Sequence, residues 1–203
     1  MFPFIQRRKT IQTAESRFSY RYAAHSPEAD MLADIASELA LLHRSHSGDI
    51  VFLCIGSDRS TGDSYGPFVG KMLKDQQFPH PVYGTIEEPV HALNLKKVLG
   101  EIRGRYTDPL IVSIDACLGD THQIGSILFN DGPLIPGYAI QNPLPGVGDC
   151  HFKGVVNHLD PYFPADSLNN TRLDTVLRLA EITSGIIVDS TRQSILEVRE
   201  EIV

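Results

Sequence analysis

The sequence has few cysteines, no long apolar run and no excess of positive charge. Its three cysteines, Cys54, Cys117 and Cys150, form no CxxC pair, so neither a disulfide framework nor a zinc site is indicated. No apolar run approaches the roughly 20 residues that cross a bilayer. The N-terminus, MFPFIQRRKT, lacks the residue order of a signal peptide. We therefore expect a cytoplasmic protein without a membrane partner.

The charge balance is acidic, with 18 Lys and Arg residues against 25 Asp and Glu residues and a net charge of −7. A general nucleic-acid binder needs a basic face, so we expect no nucleic-acid partner. The apolar fraction of 42 % and the length of 203 residues are typical of one globular domain. We predict an N-terminal arm over residues 1–25, with a short extended piece near 18–22, and a single α/β domain over residues 26–203.

Apolar patterning predicts alternating strands and helices. Continuous apolar runs at 50–55 and 110–114 indicate strands covered on both faces, and 82–86 indicates a strand between them. Helices are predicted from Ser26 and Pro27 onward, over 64–77 and over 92–105. Further strands are expected near 124–130 and 152–158, and one long helix or two, with Gly185 as the break, from residue 171. This order favours a three-layer α/β/α fold with a mostly parallel sheet.

Two aspartates lie where ligands bind in such a sheet, at the carboxyl ends of strands beside a reversal of strand order. Asp115 ends the third predicted strand, and Asp63 follows Gly56 by seven residues, after a loop long enough to curl back over the sheet. The two acids could share a proton in catalysis, or hold a divalent metal with a third ligand. The structural alternative is that Asp63 caps a helix and Asp115 caps a loop.

Other chemistry is less well supported by the residues. Neither a Walker-type GxxxxGK loop nor GxGxxG is present, and Asp58 and Asp63 would repel a phosphate. Cys54 lies within a buried strand and is expected to pack in the core. Cys117, with His122 nearby, stays an alternative nucleophile.

Four segments carry a family resemblance: LCIGSDRSTGDSYGP at 53–67, EPVHALNL at 88–95, IDACLG at 114–119 and PGVGD at 145–149. By these motifs the chain resembles the YyaC family of sporulation proteins, often called spore-protease-like, over residues 27–200. That family in turn resembles the germination protease of spores and the hydrogenase maturation endopeptidases. The resemblance implies a phosphorylase/hydrolase-like fold of the maturation-protease type.

The resemblance also implies roles for residues. Asp63 matches the loop acid and Asp115 the strand aspartate of the acid pair proposed for the germination protease. In the maturation enzymes these positions, with a histidine, bind the nickel of the substrate protein. No histidine matches that motif here, although His91, His122 and His151 are candidates, so we expect no cofactor. Any metal would be held by Asp63 and Asp115.

The function that this resemblance implies is a sporulation-associated endopeptidase acting on a protein or peptide substrate in the sporulating cell or spore interior. Asp115 would activate water and Asp63 would polarise the scissile carbonyl, or the reverse, while the loop 146–149 would supply N–H groups to the oxyanion. The predicted substrate-binding residues are Gly56, Ser57, Asp58, His91, Gly146, Gly148 and Asp149. Two alternatives stay open, a non-catalytic peptide- or metal-binding module and a small-molecule hydrolase, and a homo-oligomer is compatible with either.

Overall fold

The computed structural model describes residues 17–23, 29–136 and 146–201, with side chains to residue 196. The strands are β1 (Ser19–Ala23), β2 (Ile50–Cys54), β3 (Val82–Tyr83), β4 (Leu110–Gly119), β5 (Ser126–Asp131) and β6 (Cys150–His158). The helices are α1 (Ala29–Ser45), α2 (Tyr65–Asp75), α3 (Leu95–Arg105), α4 (Pro164–Asn169) and α5 (Leu173–Glu201). The predicted start of the first helix, at Ser26 and Pro27, lies outside the described residues.

The described strands form one six-stranded sheet in the order β1-β5-β6-β4-β2-β3. Strands β6, β4, β2 and β3 are parallel, while β5 and β1 extend the sheet in antiparallel pairings. The α/β fold with a mostly parallel sheet between helices is therefore confirmed. Strand β2 lies between β3 and β4, so the strand order reverses beside β2 and β4.

Strand β2 is apolar throughout because helices or loops cover both of its faces. Ile50, Phe52 and Cys54 belong to the core shared with α1, α2 and α5. Val51 and Leu53 belong to the second core, which includes Leu95 and Ile102 of α3. All five residues of β2 are buried, so the side-chain alternation of a strand leaves no polar face to see in the sequence.

Two strands differ in length from their predictions. Strand β3 has only two residues, because Gly84 turns the chain with a φ of +87° against the backbone of Cys54. Strand β4 continues to Gly119, because its second half pairs with β6. Asp115 therefore lies within β4 and not at its tip. It is nevertheless the first β4 residue past the end of the β2 ladder, where Cys54 pairs with Ile114.

Helix α5 is continuous through Gly185, so of the two predicted alternatives the structure shows one long helix. A helical glycine costs only about 1 kcal/mol relative to alanine, and the buried stripe continues past it from Val176 and Ala180 to Ile187. Nothing lies within 4 Å of the position that a Cβ at Gly185 would take. None of the described helices, α5 included, combines the length and apolarity needed to cross a bilayer.

The last residues of the predicted N-terminal arm belong to the sheet. Strand β1 pairs along β5, and Phe18 and Tyr22 are buried in the larger core. The Arg17 guanidinium donates to Asp131 at the end of β5, with an Nη2–Oδ1 distance of 2.9 Å. The expected extended piece is thus an edge strand.

Candidate active site

The loop after β2 folds back onto the end of that strand. The backbone N–H of Ser57 donates to the carbonyl oxygen of Asp63 at 3.2 Å. Gly56 has a φ of +138°, and any Cβ on it would stand 1.9 Å from that oxygen. Only glycine permits both the conformation and the approach. This closed loop holds Asp63 above the carboxyl end of β2, as the loop length predicted.

The structure does not support the capping alternative for the two aspartates. Asp63 lies inside a short 3-10 helix, Gly62–Ser64, and the N-cap residue of α2 is Ser64. Asp115 lies in β4, so it caps no loop. Its side chain is only 9 % exposed. Neither aspartate therefore acts as a cap: Asp63 lies within the 3-10 helix, and Asp115 lies within β4.

Asp63 and Asp115 line the same cleft, an open cavity of about 1070 Å³ at the carboxyl ends of the parallel strands. This is the position that the strand order predicted for a ligand site. Gly56, Ser57 and His91, which were predicted to bind substrate, also line it. Asp58 is exposed and is not among the lining residues.

The environment of the two carboxyl groups separates their proton affinities. Burial raises the pKa of Asp115 well above its ordinary value, and the charge of Asp63 raises it further. Burial also raises the pKa of Asp63, but the backbone N–H of Ser57 and the charge of His91 oppose that rise. Asp63 therefore ionises at lower pH than Asp115. A pair of this kind can hold one proton at intermediate pH, and the more buried Asp115 is the favoured site for it.

His91 is the one candidate histidine that reaches the cleft in the described part of the chain. Its Nδ1 accepts a hydrogen bond from the backbone N–H of Leu93 at 3.3 Å. Its own backbone N–H donates to Asn94 Oδ1 at 2.8 Å. With Nδ1 acting as an acceptor, a neutral His91 carries its proton on Nε2. His91 can therefore offer a donor to a ligand in the cleft.

The segment 146–149, predicted to supply N–H groups to an oxyanion, is held against the start of β4. The backbone N–H of Asp149 donates to the carbonyl oxygen of Ile111 at 2.8 Å. The Asp149 side-chain Oδ2 accepts a hydrogen bond from the backbone N–H of Ile111, also at 2.8 Å. Gly148 packs against Ser113 and Ile111. These contacts lie at the amino ends of β4 and β6, and none of Gly146, Gly148 and Asp149 lines the cleft. Because β6 is parallel to β4, Asp149, directly before β6, lies at the amino end of this strand pair.

Metal and thiol chemistry gain no support from the remaining candidates. His151 Nδ1 lies 2.8 Å from Gly132 O near the start of β6, and His122 lies outside the cleft. No group of three His, Cys, Asp or Glu residues suited to a metal ion occurs in the described ranges. Cys117 does line the cleft, but burial raises the pKa of its thiol to about 12. A thiol with that pKa is a poor nucleophile at neutral pH.

The cleft contains residues that sequence reasoning missed. Leu93 is 91 % exposed at its mouth, and Ile135 and Leu159 are 49 % and 47 % exposed there. Lys153 of β6 lines the cleft beside Asp115. A leucine two residues after His91 gives no sign of exposure in a sequence, and Lys153 is recognisable only once β6 is paired with β4.

Comparison with known proteins assigns the family. The model of a family described as "Protein of unknown function (DUF1256)" matches residues 23–186. The chain is also 42 % identical over 164 residues to the "Uncharacterized protein YyaC" of Bacillus subtilis (strain 168), an alignment that covers 80 % of this chain and 79 % of that protein. The resemblance to YyaC proteins is confirmed. The chain belongs to the DUF1256 family.

Proposed function

We propose that this protein is an endopeptidase of the sporulating cell or spore interior, in which Asp63 and Asp115 activate water against a peptide bond. The observation that carries the proposal is the aspartate pair itself, a buried Asp115 and a half-buried Asp63 that line one cleft. Buried like charges at the carboxyl ends of parallel strands are costly to folding and are typical of functional sites. The resemblance to germination proteases points to the same two residues.

The stronger burial of Asp115 supports one division of roles. Ionised Asp63 takes a proton from water as the water oxygen bonds to the carbonyl carbon, while protonated Asp115 gives its proton to the carbonyl oxygen. In the second half, the C–N bond breaks and Asp63 passes its proton to the leaving nitrogen. The former carbonyl oxygen returns its proton to Asp115 as the C=O bond re-forms. The products are one carboxylic acid and one amine, and both aspartates regain their initial states.

The lining of the cleft favours a polypeptide substrate. Apolar side chains line most of it and continue to its mouth, where Leu93, Ile135 and Leu159 are exposed. The burial of apolar side chains of an extended polypeptide against such a surface is favourable. The protein substrate would therefore bind through bulky apolar residues near the scissile bond.

A second candidate is a peptide-binding module without catalysis. The absence of residues 146–149 from the cleft favours it, because the backbone donors expected to stabilise an oxyanion lie elsewhere. The same apolar lining would serve a bound peptide that is not cut.

The test is incubation of the purified protein with spore and sporulation extracts, followed by mass-spectrometric mapping of new peptide termini. Asp63→Asn and Asp115→Asn should each reduce cleavage by about a hundredfold or more. Asp58→Asn is the matched control, because Asp58 is in the same loop but is exposed. Cleavage that survives both site substitutions would remove the aspartate mechanism. A wild type that cleaves nothing but captures a peptide, with capture lost in both variants, would establish the module.

The pH profile of the wild type gives a second readout. Activity should rise as Asp63 ionises and fall as Asp115 ionises, which produces a bell shape. Every active variant that keeps Asp63, including Asp58→Asn, should retain the acidic limb of the profile.

A further inference from the structure

Lys153 is the neighbour of Asp115 across the sheet. The two residues are directly opposite in the parallel register of β4 and β6. Residues opposite each other in a sheet project from the same face. Both line the cleft, and Lys153 is half-buried there. A cation on a flexible stem is thus anchored one strand away from the buried carboxyl group of Asp115.

No described residue forms a hydrogen bond or an ion pair with the Lys153 ammonium. Its charge acts on Asp115, where it opposes the effect of burial on the pKa, and it acts in the same direction on Cys117. The groups around Asp115 are Asp63 from the 3-10 helix, Lys153 from β6, Cys117 from its own strand and Tyr65 from α2, with Arg59, His91 and Asp160 elsewhere in the cleft. Lys153 is the cation among them whose charge acts on Asp115.

We propose that Lys153 is a positioning residue whose ammonium stabilises the carboxylate that Asp115 becomes when it gives its proton to the substrate oxygen. The inference rests on the proposed function. In the step concerned, the water oxygen bonds to the carbonyl carbon, the carbonyl π pair moves to oxygen, and the proton of Asp115 moves to that oxygen. The negative charge left on Asp115 then lies beside Lys153. Asp63 holds the proton taken from water.

This arrangement makes two predictions that differ from those for an ordinary substrate-binding lysine. Without the ammonium, Asp115 releases its proton less readily, so kcat should fall while KM changes little. Asp115 should also stay protonated to higher pH, so the alkaline limb of the activity profile should move upward.

The kinetic test compares Lys153→Met, which keeps an unbranched side chain one atom shorter and without charge, with Lys153→Arg. Lys96→Met on the exposed face of α3 is the control. We expect Lys153→Met to lower kcat by about tenfold or more and to move the alkaline limb upward, because a change of one pKa unit is tenfold in proton affinity. Lys153→Arg should restore both values, and Lys96→Met should change neither. A rise in KM alone, or an unmoved alkaline limb, would overturn the proposal.

A second measurement does not depend on activity. Carboxyl ¹³C NMR titration should give a higher pKa for Asp115 in Lys153→Met than in the wild type, with Lys153→Arg close to the wild type. Equal values in all three proteins would overturn the proposal, whether or not a substrate is cleaved. If the wild type cleaves no peptide but the Asp115 titration moves as expected, the endopeptidase function fails and the coupling of Lys153 to Asp115 stands. Urea unfolding of each variant confirms that the titrations report folded protein.

Discussion

Gly56 and Asp63 are in backbone contact across the loop that joins β2 to α2, and the space between them does not admit a Cβ on Gly56. The chain reverses at Gly56 with a positive φ and returns to it at Asp63. The position of Asp63 is therefore fixed by main-chain geometry at the end of a buried strand. This explains how a loop residue can be held in place for acid–base chemistry.

Substitution of Gly56 by alanine should disturb both stability and the site. The new methyl group would stand 1.9 Å from the Asp63 carbonyl oxygen, and the φ of +138° is strained for alanine. We expect the free energy of unfolding to fall by about 2 kcal/mol or more in urea titrations. Gly100→Ala in α3, where nothing lies within 4 Å of the added Cβ, should instead be neutral or stabilising by up to about 1 kcal/mol. Equal midpoints for Gly56→Ala and the wild type would contradict the contact.

The raised pKa of Asp115 predicts a specific pH dependence of stability. An acid whose pKa is higher in the folded state stabilises the fold fully below its unfolded pKa of about 3.9. That stability is lost as the pH rises through the folded pKa. Asp115→Asn cannot ionise, so its stability relative to the wild type should increase from about pH 4 upward until Asp115 is fully ionised. Urea unfolding at a series of pH values measures this difference.

The control for that series is Asp58→Asn, which removes the same formal charge from an exposed position of the neighbouring loop. A difference curve for Asp115→Asn that stays flat with pH would show that folding does not raise the pKa of Asp115.

The buried hydroxyl pair beneath the cleft should contribute to stability. Tyr65 is fully buried, and its hydroxyl lies 2.7 Å from Thr183 Oγ1 of α5. Tyr65→Phe should lower the free energy of unfolding by about 1–2 kcal/mol, because it leaves a buried hydroxyl without this partner. In a double-mutant cycle with Thr183→Val, the coupling energy should be about 1 kcal/mol.

Tyr83→Phe provides the comparison, because its hydroxyl lies 3.4 Å from that of Tyr106 at a half-buried position. Its effect should stay within about 0.5 kcal/mol. A larger loss for Tyr83→Phe than for Tyr65→Phe would mean that the bond to Thr183 contributes little.

The apolar mouth of the cleft should affect substrate binding and not folding. Leu93 is 91 % exposed, so Leu93→Ser should change the free energy of unfolding by less than about 0.5 kcal/mol. If Leu93 covers an apolar side chain of the substrate, KM should rise by about tenfold with kcat nearly unchanged. Leu173→Ser, at a half-exposed leucine of α5 outside the cleft, should leave KM unaltered. Peptide-cleavage kinetics measure both values, and equal KM changes in the two variants would argue against a binding role.

Divalent metals should bind weakly to the aspartate pair. Tight transition-metal sites have three or four protein ligands, and no such group occurs among the residues that the structure describes. Calorimetric titration with Ni²⁺ or Zn²⁺ should therefore show little binding at micromolar ion. Tight one-to-one binding that Asp63→Ala abolishes would instead favour the nickel-binding analogy with the maturation endopeptidases.

The core of the site was accessible from the sequence because its determinants are local. The apolar run of β2 ends at Gly56, and the loop to Asp63 has the length needed to return, so both strand and loop could be predicted from adjacent residues. Asp115 follows a second such run. The position of β2 between β3 and β4, which brings the two acids to one cleft, follows from general rules for parallel sheets.

The features that the sequence could not give depend on pairing between distant segments. Strand β4 extends past Asp115 only because β6 pairs with it, and the same pairing puts Asp149 at the far end of the sheet and Lys153 beside Asp115. Neither the motif PGVGD at 145–149 nor the residues around Lys153 indicate whether β6 is parallel or antiparallel to β4. The continuity of α5 through Gly185 likewise depends on its packing against neighbouring helices, which outweighs local propensity.

Strand β1 covers the outer edge of β5, and this has a consequence for the solubility of any shortened form of the protein. Residues 19–23 occupy backbone groups of β5 that would otherwise be open to strands from other molecules, and the Phe18 ring packs against Phe129 at 4.8 Å. Processing of the N-terminal arm that stopped before Arg17 would leave this cover in place. Cleavage after Ala23 would expose an unpaired, apolar sheet edge, which is a template for aggregation.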